Sequence, residues 1–392
     1  MRVLVVHNRY RSGDTSGENR VVRDEAELLR SAGHDVTTWE AEPRVDTVAG
    51  QLRAATDAVW SRRAAARVRT VVEERAIDVV HAHNLFPSLS PTVVRAGREG
   101  GAAVVVTLHN YRYLCLPGSL IRDGQACEVC VGRVPWRGVV HRCYRGSAAG
   151  SATIATSLTL HRAISSFDAV GRFAAVSGFI RDTYDRVAFA PGRIVVKPNF
   201  APPAAVRERP GQGFVYLGRL APEKGVDTLL EAWRGAGRDL QPLTIVGSGP
   251  SEEALRAAAP PGVRFVGDVA SEQVPALIRS ARAVMIPSRW EEAAVPRVAL
   301  EAYACGVPVI ASDRGALPEG VLDGETGLVV PADDAAAWRD AATAMADDDT
   351  DERLGRAGHA LWRERYGPEA GLAALESLYV EAVDALGPTT RS

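Results

Sequence analysis

Short apolar runs rich in Val, Ile and Ala alternate along the chain with stretches whose apolar residues recur every three or four positions. In the first half the runs Val3–Val6, Val36–Trp39, Val79–His81, Val104–Leu108, Ala169–Ala175 and Ile194–Val196 predict strands. In the second half Phe214–Leu217, Leu243–Val246, Val263–Val266, Ala283–Ile286 and Val307–Ala311 do the same. Several are apolar throughout, the pattern of a strand covered on both faces. Between them, Glu18–Ala32 puts Val22, Ala26 and Leu29 on one helical face and closes at Gly33. Val226, Leu229, Leu230 and Trp233 repeat at helical spacing. Val298 to Cys305 reads as a short helix ended by Gly306, and Pro368–Leu386 as a last helix. The acidic run Asp347–Glu352 reads as a solvated helix edge. Strands and helices in alternation predict an α/β protein with parallel, doubly wound sheets.

The length of 392 residues suits two domains. The break lies at Pro198–Pro210, which holds Pro198, Pro202, Pro203 and Pro210 with little apolar periodicity. This gives domains over 1–200 and 201–366, and a helix over 367–392 expected to pack back on the first domain. The net charge of −2 excludes a nucleic-acid partner held by bulk electrostatics. No apolar run approaches the roughly 18 residues of a membrane span, so membrane contact is expected to be at most peripheral. Met1–Asn8 reads as a first buried strand rather than a signal peptide, which places the protein in the cytoplasm. Of 46 basic residues only Lys197 and Lys224 are lysine. A lysine kept against that bias marks a need for a compact point charge; for Lys197, chance explains it as well.

Lys224 lies in Gly218-Arg219-Leu220-Ala221-Pro222-Glu223-Lys224-Gly225, between a predicted strand and a predicted helix. Such a turn presents backbone N–H groups and a positive helix end to an anion. Arg219 can add a bidentate grip and Lys224 a point charge. An ordinary surface loop with two solvated cations is the alternative. Downstream, Glu292 follows a strand and Glu301 lies in the short helix. Two carboxylates facing one cleft suit the vicinal hydroxyls of a sugar or ribose, whereas either alone is usually a solvated surface group. His109 ends a first-domain strand, where doubly wound sheets bind ligands; a structural histidine bonded to backbone is the alternative.

The run G-R-L-x-x-E-K-G, then Ile245–Pro250, P-S-x-W-E-E, E-A-Y-A-C-G-V-P-V-I-A-S and Gly315–Val330 resembles the retaining glycosyltransferases of family 4. The first domain is similar more weakly, through Gly13, Gly17, Glu18, Gly33–Val36, Asp78–His83, Thr107–His109 and Val176-Ser177. The resemblance implies a GT-B architecture, two Rossmann-like domains facing each other across a cleft. It implies that Arg219, Lys224 and the Gly218 turn hold the diphosphate of a UDP- or GDP-linked sugar. Backbone N–H groups near Arg297 and Val298 would help, Glu301 would take the ribose, and Glu292 the transferred sugar. His109 would line the reaction centre. The Gly13–Glu18 loop, with Gly17, would close over phosphate and acceptor, Gly13 and Glu18 on the acceptor side. The family separates its two glutamates by seven residues; here eight intervene and Pro296 replaces the usual Gly. Either the extra residue bulges out or the sugar contact has changed.

The implied reaction is transfer of a hexosyl unit to a hydroxyl acceptor with retention, in polysaccharide, glycolipid or natural-product synthesis. The two cations and helix-end N–H groups would stabilise the departing diphosphate without a catalytic metal. A sugar-nucleotide epimerase or hydrolase, and an inactive donor-binding subunit, are the rival readings. Cys115, Cys127, Cys130 and Cys143 cluster in an insertion at about 112–146. Four thiolates with one C-x2-C pair can surround a structural Zn2+, with His141 as an alternate ligand. Four reduced thiols are the alternative.

Overall fold

The computed structural model describes residues 1–10, 16–42, 47–236 and 239–386. It divides into two units, Met1–Lys197 with the segment from Leu372, and Pro198–Gly371. The first holds strands β1 (Arg2–Asn8), β2 (Asp35–Ala41), β3 (Val79–Ala82), β4 (Ala103–Leu108), a small hairpin β5 (Ile121–Arg122) and β6 (Gln125–Ala126), then β7 (Arg172–Ala175) and β8 (Ile194–Val196). Its main sheet runs β2-β1-β3-β4-β7-β8, parallel throughout. The second holds β9 (Phe214–Leu217), β10 (Leu243–Val246), β11 (Val263–Gly267), β12 (Ala283–Ile286), β13 (Val309–Ser312) and β14 (Gly327–Val330), in the order β11-β10-β9-β12-β13-β14. Here the chain winds outward both ways from the adjacent pair β9 and β12. That pair is the topological switch point, beyond whose strand ends ligands bind in such sheets. The equivalent pair in the first unit is β1 and β3.

Both sheets have helices on both faces, which is why their strands are apolar at successive positions. On one face of the first sheet, Val3, Val5, Val79, Ala103 and Val105 pack against Val22 and Leu29 of the Gly17–Ser31 helix. The Pro368–Asp384 helix covers the same face with Leu375, Leu378 and Tyr379. In the second unit Trp233 and Trp338 are fully buried in one cluster with Phe214, Leu243 and Ile245.

Several expectations from sequence are corrected. The Ala169–Ala175 strand begins only at Arg172, because Ser166–Ala169 forms a 3-10 turn. The strand expected over Val307–Ala311 begins at Val309; Pro308 has no N–H for a ladder, and its carbonyl accepts from the Val284 amide instead. The acidic run is not a solvated edge throughout. Asp347 caps the Asp348–Leu361 helix, and Asp351 is fully buried, ion-paired with Arg207 and Arg282. Nor is Lys197 a chance survivor. It lies just past β8, 2% exposed, and pairs with Glu25 of the Gly17–Ser31 helix, itself 1% exposed.

A buried pair loses more when halved than when removed whole, since the orphan charge stays in a poor solvent. Lys197→Met is expected to lower the unfolding free energy by about 3–5 kcal/mol, and Glu25→Leu added to it to restore most of that. Urea unfolding followed by Trp fluorescence checks this; wild-type stability in the single variant would contradict it.

Candidate functional site

In the second unit the site is built where β9 and β12 end side by side. After β9 the chain turns through Gly218, makes a single 3-10 turn at Pro222–Lys224, and enters the Val226–Ala236 helix. Gly225 permits the entry. Its φ is +67°, and a Cβ there would stand 2.0 Å from the Pro287 carbonyl oxygen. The loop after β10 rides on this turn: the Leu220 amide donates to Ser248, and the Ser251 amide to Leu220. A Cβ on Gly247 would lie 2.0 Å from the Gly218 carbonyl, so the close approach requires glycine.

From the loop after β12, the Arg289 amide donates to the Glu223 carbonyl and ties the two loops together. Across that tie Lys224 Nζ donates to Glu292 Oε1 at 2.5 Å, and Ser288 Oγ donates to the same oxygen at 2.7 Å. Lys224 also sits 5.4 Å from the centre of the Trp290 ring. Glu292 is mostly buried, with 12% of its side chain exposed. Arg219 points elsewhere. It pairs with Glu223, four residues on, and 57% of its side chain is exposed. Glu301 lies one turn into the Arg297–Ala304 helix and accepts from Arg297 Nε at 2.7 Å; Val298 is that helix's second residue.

The extra residue between the glutamates does not bulge into solvent. Ala293 and Val295 are buried, and Val295 belongs to the core cluster with Leu300 and Leu317. Glu292 is fixed by its own backbone, whose carbonyl accepts from the Ala316 amide at 2.8 Å. The neighbouring Gly315 amide donates to Glu291 Oε2 at 2.7 Å. Structure thus brings Lys224 and Glu292 together, and pairs Arg219 and Glu301 each within its own segment.

In the first unit the predicted His109 joins three histidines that the sequence did not single out as site residues, at the ends of β1, β3 and β4. His83 Nδ1 and His109 Nε2 share a hydrogen bond of 2.9 Å, their rings stacked. Behind them His81 is held between Thr107 Oγ1 at 2.7 Å and Tyr379 OH at 2.8 Å. His7 bonds Asn19. The far nitrogen of His83 is 3.9 Å from Glu25, the partner of Lys197. Burial, with the Lys197 charge behind it, pushes His81 down to about 3. Burial pushes His83 and His109 well below the usual range, and His7 below it. All four are neutral near pH 7. The H-x-H pattern in His81-Ala82-His83 at a strand end was the signal available, but only the fold reveals that His109 stacks on it.

Glu18, at the start of the Gly17–Ser31 helix, turns toward Asn110, whose Nδ2 lies 3.5 Å from its Oε2. It lines a small cavity with His83, His109 and Arg112, and burial raises its carboxyl to about 7. Gly17 is the first residue of that helix; Gly13 lies outside the described residues.

Among the described residues, one set of ligand atoms, from Glu25, His81 and His83, lies within 4.8 Å of one another. It does not fit a metal well: both His81 nitrogens are engaged and the Lys197 ammonium already neutralises Glu25. The cysteines are all free thiols. Cys127 follows the β5–β6 hairpin and Cys143 follows the Trp136–Val140 helix. Burial raises Cys115, Cys130 and Cys143, and each is raised further by a neighbouring cysteine. No three of the four sulfurs come within 4.8 Å. The exposed His141 lies just past that helix.

The profile of glycosyltransferase family 4 matches residues 15–204, and that of the group 1 glycosyl transferases matches 211–348. The chain is 28% identical to a D-inositol 3-phosphate glycosyltransferase of Pseudarthrobacter chlorophenolicus, over 95% of this chain and 92% of that one. It is 36% identical to a D-inositol 3-phosphate glycosyltransferase of Corynebacterium efficiens over 43% of each. It is 41% identical to a GDP-mannose-dependent alpha-(1-6)-phosphatidylinositol monomannoside mannosyltransferase of Mycolicibacterium smegmatis, over 33% of this chain and 38% of that one. The chain thus spans less than half the length of these last two relatives. Among solved structures, it superposes on a sucrose-phosphate synthase of Thermosynechococcus elongatus with TM-score 0.69 at 19% identity, covering 98% and 100% of the two chains. On Anabaena HepE in complex with UDP and glucose the TM-score is 0.65 at 15% identity, covering 96% and 99%.

The depressed histidines set a pH dependence. An unfolded histidine titrates near 6.5, so below that pH the unfolded chain binds protons that the folded chain refuses. Stability is therefore full above about pH 6.5 and falls below it, by up to about 1.4 kcal/mol per pH unit for each such histidine. Urea unfolding at pH 7.5, 6 and 5 reads this directly. A flat profile would contradict the buried, neutral cluster.

Proposed function

We propose a reaction from one premise: the chain belongs to glycosyltransferase family 4, and its two parallel α/β units have the GT-B fold. The reaction is transfer of a hexosyl unit from a nucleoside diphosphate sugar to a hydroxyl acceptor, with retention. The observation that carries it is the Lys224 ammonium at the β9–β12 switch point, held by Glu292, which Ser288 bonds in turn, beside a glycine-built turn. A diphosphate there meets a fixed point charge and the end of a helix. Arg219, exposed and among the described residues paired with Glu223 of its own turn, is placed to swing onto a second phosphate oxygen.

In this reading the donor's anomeric C–O bond breaks and the acceptor oxygen bonds to the same face. The acceptor's proton passes to the leaving phosphate oxygen. Lys224 and Arg219 stabilise the charge that develops there. Glu301, on the helix beyond, takes ribose hydroxyls, and Glu292 takes hydroxyls of the transferred sugar. His109, neutral and backed by His83, offers one ring nitrogen to the sugar without adding charge. Relatives named for GDP-mannose and for inositol-containing acceptors support a GDP- or UDP-linked hexose as donor and a polyol or lipid-linked hydroxyl as acceptor. Free thiols suit a reducing, cytoplasmic setting, and among the described residues no helix is long and apolar enough to cross a membrane. A structural Zn2+ on Cys115, Cys127, Cys130 and Cys143 is a separate part of the proposal. The metal content of the purified chain decides it: about one zinc per chain supports it, and none removes it.

Calorimetry with UDP and GDP tests the donor site. Lys224→Ala is expected to weaken nucleoside diphosphate binding at least about tenfold, a loss of roughly 1.4 kcal/mol. Product formation in donor–acceptor mixtures, read by mass spectrometry, should fall further, since the leaving group is charged most in the transition state. Unchanged affinity in the variant would remove the reading. Sugar-nucleotide conversion without acceptor would replace transfer with epimerisation or hydrolysis.

A further inference from the structure

The insertion after His109 presents an unusual surface. Val134, Trp136 and Val140 are 56%, 58% and 65% exposed, three large apolar side chains within seven residues. Isolated exposed hydrophobics need no explanation, but a contiguous group does. Around them Arg133, Arg137, His141, Arg142 and Arg145 are exposed as well. No Asp or Glu occurs between Glu128 and Asp168. Among the described residues these four arginines enter no ion pair, whereas Arg122 and Arg186 beside them are paired with Asp123 and Glu128. The Arg137 guanidinium instead lies 5.5 Å from the centre of the Trp136 ring, and Arg145 lies 5.3 Å from that of Tyr144.

We propose that this face, centred on Trp136 and Val140, docks on an anionic phospholipid surface. Tryptophan prefers the boundary between headgroups and acyl chains, and arginine can leave its stem there while its charge meets lipid phosphate. Basic residues around an apolar centre bind anionic bilayers by both terms at once. A second copy of the chain fits poorly, because a two-fold contact would set the same unpaired arginines against one another. Single-stranded nucleic acid fits poorly too, because Val134 and Val140 offer no ring for a base to stack on. The proposal does not rest on the transferase reading; either can fail alone.

The test is co-sedimentation of the full chain with phosphatidylcholine vesicles, with and without about 30 mol% phosphatidylglycerol. Binding is expected only to the anionic vesicles, and to weaken at high salt. The double variant Trp136→Ser/Val140→Ser should lower partitioning at least about tenfold. Arg137→Ala and Arg142→Ala should each lower it about fivefold. All variants should keep the wild-type melting temperature and nucleoside diphosphate affinity, since these side chains are exposed and outside the donor loop. No binding to anionic vesicles, or binding that the double variant leaves unchanged, overturns the proposal. So does a Trp136-dependent dimer in sedimentation velocity, or a Trp136-dependent complex with single-stranded RNA in place of vesicle binding.

Discussion

A parallel sheet sandwiched between helices has no room for polar chemistry except beyond the carboxyl ends of its strands. Both units obey that constraint, and everything functional in them follows from it. In the second unit β9 and β12 are apolar to their last residue, and the polar groups of the site come from the loops that follow them. In the first unit the ends of β1, β3 and β4 carry His7, His81, His83 and His109. Parallel connections put the helix starts at the same edge, so fixed dipoles and mobile side chains converge there.

The two lysines show how depth divides structure from function. Lys197 is enclosed, paired with Glu25, and backs a cluster of neutral histidines. Its charge cannot leave that partner without a large desolvation penalty, so it acts as a fixed part of the fold. Lys224 is paired as well, but about a quarter of its side chain is exposed and its partner also accepts from Ser288. An incoming diphosphate can compete for that ammonium, and Glu292 retains a hydrogen bond if it does. The same residue type is thereby locked in one unit and exchangeable in the other.

The β–α alternation and the Gly218–Gly225 turn were legible in sequence because they depend on local patterns: apolar runs, helical spacing, and glycine where two backbones meet. Strand starts at Arg172 and Val309 were not, since a 3-10 turn and a missing proline N–H decide them. The Glu25–Lys197 and Asp351–Arg207 pairs join residues far apart in the chain, so nothing local announces that these charges are buried. The histidine stack failed to show for the same reason: β3 and β4 are adjacent only after folding. The spacing of Glu292 and Glu301 looked like a defect in sequence. In the fold the extra length is taken up by Ala293 and Val295 turned into the core, and the Glu292 carboxylate still reaches Lys224.

Because the chain has just two lysines, the central claim can be read from side-chain ammonium signals. A chain labelled with 15N and 13C only in lysine should give two resonances, one buried and one partly exposed. Titration with UDP or GDP should shift the Lys224 signal, assigned by its loss in Lys224→Arg, and leave that of Lys197 in place. A Lys224 signal indifferent to both nucleotides would contradict the account, because the switch-point ammonium would then not be the diphosphate's partner.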